Sequence, residues 1–329
     1  MYSESDIASA VEAGIMPAET AEALRLHVEA RRQMPAADEE HFRLLGGFND
    51  VFITLAIGLL LFLPIATGHG FIVAAACWGL AEIVTRRRRL ALPSVVLAIA
   101  FGVGIFLQVA SGMTDDRWSD RESGWAVAGA AAALVTASAA FLYWWRFRVP
   151  VSQAVLASAI LGLVYFAVRS TLPDSSGWTW LLLGLGGVAI FAYAMWWDLA
   201  DPERRTQSSD VAFWLHLLSA PLIAHSVFRW VWSFEGSGAS WAIAVLFIYA
   251  AFTVVALVVD RRAILVSGLG YALVAVAGLL GDIGDGFIPS TLFVGGSLLF
   301  LGLFWPKVRS AFVIYLPEAW RRRLPPARR

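Results

Sequence analysis

The chain has 329 residues, of which 59% are hydrophobic, and its 25 Lys and Arg residues are balanced by 25 Asp and Glu residues. Soluble domains are about 45–50% apolar, so this excess, with a mean hydropathy of +0.68, indicates a membrane protein. The zero net charge gives no reason to expect a nucleic-acid partner. The single cysteine, Cys77, excludes an intrachain disulfide and a cysteine metal centre.

The first predicted element is a small cytosolic unit, residues 1–44, that consists of a helical hairpin and a linker. Ile7 and Val11 lie one turn apart in the first helix, Gly14 ends that helix, and Pro17 suits the first turn of the second. Two short helices bury little surface by themselves. We therefore expect the two helices to pack on each other, on the membrane face or on a protein partner.

Ten apolar segments follow within residues 45–306, and most are long enough to cross a hydrocarbon core of about 30 Å. The predicted spans are 50–67, 70–85, 92–112, 124–144, 151–168, 178–197, 211–231, 240–259, 263–281 and 288–305. The sequence thus predicts an all-α, polytopic integral membrane bundle of about ten transmembrane helices. Residues 307–329 are predicted to form a basic interfacial helix and tail that bind anionic lipid.

The seventh span is unusual because its apolar run contains two histidines and a proline. His216 and His225 are nine positions apart, so at about 100° per residue they point to opposite sides of one helix. Pro221 lacks the N–H that would bond to the carbonyl of Leu217, which favours a kink. Because they point to opposite sides of the helix, His216 and His225 cannot share one metal ion or one haem.

Five residues of this span form a candidate intramembrane polar site: His216, Ser219, Pro221, His225 and Arg229. Ionisable residues inside a membrane are rare and usually functional. The alternative is a kinked helix whose neutral histidines only hydrogen-bond to neighbouring helices. A water-filled cavity that reaches either histidine would distinguish the two interpretations.

Arginines recur in every second loop of the predicted bundle. They are Arg86 to Arg89, Arg146 with Arg148, Arg204 with Arg205, and Arg261 with Arg262. The positive-inside rule therefore predicts that both termini are cytoplasmic, and an even number of spans agrees with this. Arg89, Arg148, Arg205 and Arg262 are 57 to 59 residues apart. This period fits either duplicated helical hairpins or the ordinary length of two spans with short loops.

No catalytic constellation is present in the sequence. The HExxH, P-loop, nucleophile-elbow and CxxC patterns are all missing, so we expect no metal and no cofactor, and a membrane-embedded enzyme or redox protein is the weakest of the functional alternatives. Asp282 and Asp285 lie in a GDIGDG loop that supplies too few oxygens for a Ca²⁺ shell. Gly and Asp are also common in the turns between helices, so this loop gives no evidence of a Ca²⁺ site.

The opening segment DIASAVEAGIMPAETAEALRLH places Gly14 and Ile15 between two amphipathic helices, ahead of the apolar spans. In this it resembles a broad family of bacterial predicted membrane proteins of unknown function. The resemblance implies a bacterial cytoplasmic (inner) membrane location and brings no catalytic residues. The ten-span plan is also similar, in count and topology only, to drug/metabolite transporters built from two inverted five-helix halves.

Two functional hypotheses follow. In the first, the bundle binds or transports a small solute, and His216 and His225 line the path. In the second, the chain is a non-catalytic membrane scaffold or sensor that signals through the hairpin of residues 1–44. Substrate, direction, coupling ion and oligomeric state are not encoded in any recognisable pattern.

Overall fold

The computed structural model describes residues 9–24, 48–113, 122–172, 176–201, 206–235, 239–280 and 287–318. Several predicted features lie outside these ranges, namely Ile7, the linker, Arg204, Arg205, the GDIGDG loop and the tail from residue 319. The chain divides into two compact units, residues 1–41 and 42–329.

In the first unit, residues 9–12 and 18–24 are helical, and a turn at Ala13 and Gly14 lies between them. Gly14 has a φ of +68°, a left-handed conformation that glycine adopts without steric cost at the end of a helix. The amide of Gly14 donates to the carbonyl of Val11 at 3.0 Å. The described part of this unit is therefore two helical stretches joined at the predicted glycine.

Ten helices make up the described part of the second unit. They are α1 (Phe48–Ala66), α2 (Gly70–Ala81), α3 (Ala91–Met113), α4 (Glu122–Phe147), α5 (Val151–Thr171), α6 (Ser176–Ala200), α7 (Gln207–Glu235), α8 (Ala239–Val259), α9 (Ala263–Leu280) and α10 (Phe287–Val313). Each coincides with one predicted apolar segment to within about four residues, except at the end of α10. That helix continues past Pro306 to Val313, so the predicted boundary at residue 307 falls inside it.

Eight helices in the described ranges are long and apolar enough to cross a membrane. Two shorter ones, α2 and α9, are not: α2 passes into a π-helical turn at Glu82–Arg87, and the apolar part of α9 is Ile264–Leu280. The chain is therefore an all-helical, multi-pass membrane bundle. The count of ten spans remains a prediction.

Large apolar side chains cover the outside of the bundle, including Phe52 and Leu59 of α1 and Leu292 and Leu303 of α10. In lipid these residues meet acyl chains rather than water, and a helix satisfies its own backbone polar groups there. The exposed residues of α1 and α10 thus mark the periphery of the bundle.

Helices that are adjacent in sequence form the tightest pairs, α4 with α5 and α6 with α7, whereas α5 and α6 contact each other much less. At the C-terminal end of α4, Arg146 Nη2 lies 2.8 Å from Glu82 Oε1 and forms an ion pair with it. Glu82 directly follows α2. The C-terminal end of α6 meets the start of α5 through a Tyr193–Gln153 hydrogen bond of 3.2 Å. We call this end of the bundle, which carries the arginines of residues 86–89, 146–148 and 261–262, the Arg-rich end.

Candidate functional site

The structure separates the five predicted site residues into two groups on opposite faces of α7. His216 and Ser219 are completely buried, and the Ser219 hydroxyl donates to the carbonyl of His216 at 3.2 Å. Pro221, His225 and Arg229 lie on exposed positions of the same helix, which continues through the proline. The expectation that the two histidines point in opposite directions follows from the helix period and agrees with this arrangement.

The exposed group packs against α6 and α9. His225 Nδ1 hydrogen-bonds to the hydroxyl of Tyr271, and the His225 ring lies edge-on to Trp180 with their centroids 4.9 Å apart. The guanidinium of Arg229 lies over the same Trp180 ring at 5.3 Å. These contacts tie three helices together through aromatic rings on the outside of the bundle.

The buried group belongs to a charged network that centres on Asp198, in the last turn of α6. His216 Nε2 lies 2.8 Å from Asp198 Oδ2, and Arg261 Nη2 lies 2.5 Å from Asp198 Oδ1. Arg261 Nε adds a contact of 3.3 Å to Oδ2, so the guanidinium engages both carboxylate oxygens. Because a carboxylate paired with arginine can only accept, His216 Nε2 carries the proton and donates it.

Because the network is buried, breaking it should cost much free energy. Asp198 is 7% exposed, Arg261 1% and His216 0%. Arg261 Nη2 also donates to the backbone carbonyl of Ser209 at 3.2 Å, and the ring of Phe191 packs on the imidazole of His216. Removing one partner from a buried ion pair typically costs about 3–5 kcal/mol, because the other charge is left uncompensated. The network therefore ties α6, α7 and the α8–α9 turn tightly together at the Arg-rich end.

A helix C-cap directs Arg261 into the bundle. Asp260 has a φ of +61°, the left-handed conformation that often ends a helix and that Asp tolerates better than most residues. The amide of Arg261 then donates to the carbonyl of Ala256 at 3.0 Å, the long bond of a Schellman motif. The chain reverses at this point, and the Arg261 side chain meets Asp198.

The neighbouring residue, Asp260, contacts helix α10 on the other side of the turn. Trp305 Nε1 donates to Asp260 Oδ1 at 2.7 Å, and Arg309 Nε lies 3.4 Å from the same oxygen. Arg309 Nε also donates to the carbonyl of Leu257 at 3.2 Å, in the last turn of α8. Two consecutive residues of one turn thus connect α6 and α7 on one side with α10 on the other.

Next to the network, the residue that follows α6 bonds to the residue that precedes α7. Asp201 Oδ2 accepts from both the backbone amide and the hydroxyl of Thr206, at 2.7 and 2.8 Å. A carboxylate at this place satisfies donors at the start of α7 and interacts favourably with its helix dipole.

Two large cavities, of about 730 and 580 Å³, border this part of the chain, and their linings are almost entirely apolar. The first lies between α5 and α6, and the second lies among α3, α4, α5 and α7. Neither cavity is lined by His216, His225, Asp198 or Arg261. Within the described ranges, no three His, Cys, Asp or Glu side chains come together as a metal site would require.

The sequence pattern singles out His216 and Ser219, but it does not indicate Asp198 as the partner of His216, and it marks Arg261 only as a loop cation. A signal existed in the stretch WWDLAD, which places two acids at the end of a span, just before Arg204 and Arg205. An acid in such a place needs a cation beside it, since an unpaired charge at a membrane boundary is costly.

The fold and this site define a class of protein: a polytopic helical membrane protein with a charged network enclosed at one end of its bundle. No family model, no curated protein and no solved structure matches the chain. The resemblance of the N-terminal segment to a bacterial membrane-protein family is therefore not accompanied by a family identification.

Proposed function

We propose that this protein binds or moves a small solute across a membrane, and that the Asp198–His216–Arg261 network is a gate at the Arg-rich end of the bundle. The observation that carries the proposal is a buried carboxylate engaged by both an imidazole and a guanidinium. Enclosing charged groups within a membrane helix bundle is expensive, and ionisable residues in membrane segments mark solute or ion pathways.

The proposed gate connects helices α6 and α7 with the α8–α9 turn, which would separate if the bundle opened at this end. Asp198 lies at the end of α6, His216 lies on α7, and Arg261 lies in the turn between α8 and α9. In transporters that alternate between two open sides, rigid groups of helices rock around a central site. Separating Arg261 from Asp198 would let the α8–α9 pair move away from the α6–α7 pair.

Water access to Ser219 tests the gate. In a Cys77→Ala background, Ser219→Cys places a thiol beside His216, where a water-soluble, membrane-impermeant thiol reagent reacts slowly with the closed protein. Adding Asp198→Asn should raise the labelling rate at least about tenfold, since 1.4 kcal/mol already changes an opening equilibrium by that factor. The control is Glu82→Gln, which removes a carboxylate from another ion pair of the Arg-rich end and should leave the rate unchanged.

Solute movement is measured separately, in vesicles that contain the purified protein. The probes are one amino acid, one sugar, one nucleoside and one organic cation, each radiolabelled. Arg261→Gln should reduce the flux of whichever probe the wild-type protein carries, whereas Arg88→Gln should not. A thiol at residue 219 that stays unreactive in every variant, together with no flux of any probe, would contradict the proposal.

A membrane scaffold or sensor that signals through residues 1–44 is the second candidate. The observation in its favour is that residues 1–41 form a compact unit of their own. In its described part Ile15 is 79% exposed, as a docking residue would be. Deleting residues 1–44 should abolish the recovery of protein partners from crosslinked membranes, and an unchanged set of partners would contradict this role.

The proposed setting is the bacterial cytoplasmic membrane, with ten spans and both termini in the cytoplasm. The arginine bias of alternate loops supports the orientation. The resemblance of the N-terminal segment supports the bacterial location.

A further inference from the structure

The larger cavity is a long groove between α5 and α6. Its volume is about 730 Å³, and its walls include Ala157, Ile160 and Val164 of α5 and Leu185 and Ala189 of α6. Ile160, Val164 and Leu185 are each about half or more exposed, so the groove opens toward the outside of the bundle. It exists because α5 packs mainly on α4 and α6 mainly on α7.

The length of the groove matches the membrane. Its lining runs along α5 from Gln153 to Leu172, which is about 28 Å at 1.5 Å per residue, close to the thickness of the hydrocarbon core. The small side chains Ala157 and Ala189 widen the half that is nearer the Arg-rich end. That half has the depth of one lipid leaflet.

The Arg-rich end of the groove is polar and aromatic. The Tyr193 hydroxyl donates to Gln153 Oε1 across the groove at 3.2 Å. Trp144 packs in the same cluster as Ala157 and Tyr193, and the guanidinium of Arg148 lies over the Trp144 ring at 5.5 Å.

The backbone holds Arg148 in this place. Its φ of +54° is the left-handed conformation of a helix C-cap, and its amide donates to the carbonyl of Trp144 at 2.9 Å. The Arg148 side chain is exposed. The exposed Arg148 guanidinium is thus linked to the groove through Trp144, which packs in one cluster with the groove residues Ala157 and Tyr193.

We propose that this groove binds the acyl chain of an anionic phospholipid, whose phosphate is held by Arg148. An apolar channel of one leaflet's depth fits the chain, the aromatic rings fit the interfacial region, and the guanidinium matches the negative charge. Basic pockets between transmembrane helices select anionic headgroups in this way. The site is independent of the proposed gate, because none of its residues belongs to the Asp198 network.

Native mass spectrometry of the purified protein tests the site, with phosphatidylglycerol and phosphatidylcholine of identical chains as probes. The wild-type protein should retain phosphatidylglycerol preferentially. Arg148→Gln should weaken its retention about fivefold, since one basic residue near an anionic headgroup contributes about that factor. Arg88→Gln removes a charge from the same end of the bundle and should have no effect.

Filling the groove tests the chain site. Ala189→Trp should abolish the preference for phosphatidylglycerol, and Val164→Trp, on the opposite wall, should do the same if the first variant fails to fold. Ala251→Trp places an equal side chain on an exposed position of α8, outside the groove, and should retain the preference. Equal retention of the two lipids by the wild-type protein would overturn the proposal. So would a preference that survives both groove-filling variants, or equal losses from Arg148→Gln and Arg88→Gln.

Discussion

At the scale of single residues, the proposed gate is one buried carboxylate with two partners. Asp198 accepts from His216 and Arg261 at distances of 2.8 and 2.5 Å, and all three side chains are buried. Burying charges costs hydration free energy that only close pairing offsets, so such networks rarely add net stability over apolar packing. In the proposed function, this network serves to gate the bundle rather than to stabilise it alone.

The cost of breaking this network is the first prediction. Arg261→Met should lower the free energy of unfolding by about 3–5 kcal/mol, because the buried Asp198 loses the cation that compensates its charge. The double variant Asp198→Leu/Arg261→Met should recover most of that loss, since no buried charge remains uncompensated. Unfolding by SDS titration in detergent micelles, followed by circular dichroism, measures both values. A double variant that is as unstable as the single one would contradict this account.

Breaking the hydrogen bond from Trp305 to Asp260 should lower the free energy of unfolding by less than breaking the Asp198 network does. Trp305→Phe keeps the packing of an aromatic ring and removes the hydrogen bond to Asp260, which is 2.7 Å long. Because the acceptor is charged, we expect a loss of about 1.5–3 kcal/mol in the free energy of unfolding. The same substitution at Trp145, whose side chain is exposed, serves as the control and should change stability little. Equal losses at the two positions would show that the bond to Asp260 contributes nothing.

At the scale of helices, some glycines lie where two helices approach closely and others do not. A Cβ on Gly70 of α2 would collide with the backbone oxygen of Gly104 of α3, and one on Gly187 of α6 would lie 2.9 Å from Ile223 of α7. Other glycines of similar sequence context, such as Gly295, have nothing within 4 Å of an added Cβ. Close approach therefore depends on the facing helix, not on the glycine itself.

The α2–α3 crossing gives a paired prediction. Gly70→Ala should destabilise the protein by about 1–3 kcal/mol, because the new methyl group forces the two backbones apart. Gly79→Ala, in the same helix but with open space around it, should stabilise the protein by up to about 1 kcal/mol through helix propensity. Opposite signs in the same SDS titration would support the close contact, and equal signs would argue against it.

Helix α7 has one polar group on its buried face and another on its exposed face. Its buried face carries His216 and Ser219 into the charged network, while its other face presents His225 and Arg229 to Trp180. The helix can divide its polar residues in this way because nine positions correspond to about half a rotation beyond two full turns. The kink expected at Pro221 does not interrupt the helix.

At the scale of the whole molecule, the arginine bias predicts an orientation that surface labelling checks. In a Cys77→Ala background, Arg87→Cys should be protected from a membrane-impermeant maleimide in intact cells, whereas His69→Cys should react. Gly112→Cys, at the exposed end of α3, should react as His69→Cys does. The reverse pattern would invert the topology. Reaction at both 69 and 87 would mean that α2 does not cross the membrane.

The sequence by itself determined the elements that depend only on local composition and helical period. Apart from the C-terminal end of α10, apolar length placed the ten described helices close to their observed bounds, because transfer into a hydrocarbon layer depends on the residues of one segment. The helix period likewise separated His216 from His225, because both lie on the same rigid element.

Only the tertiary structure decided which polar groups meet. Asp198 and Arg261 are 63 residues apart, and Asp198 and His216 are 18 apart on different helices. Their contact depends on which faces of α6, α7 and α8 pack together, and on a left-handed residue at position 260 that turns the chain back. Helix packing arises from side-chain shape across many segments at once, so no local pattern in the sequence specifies it.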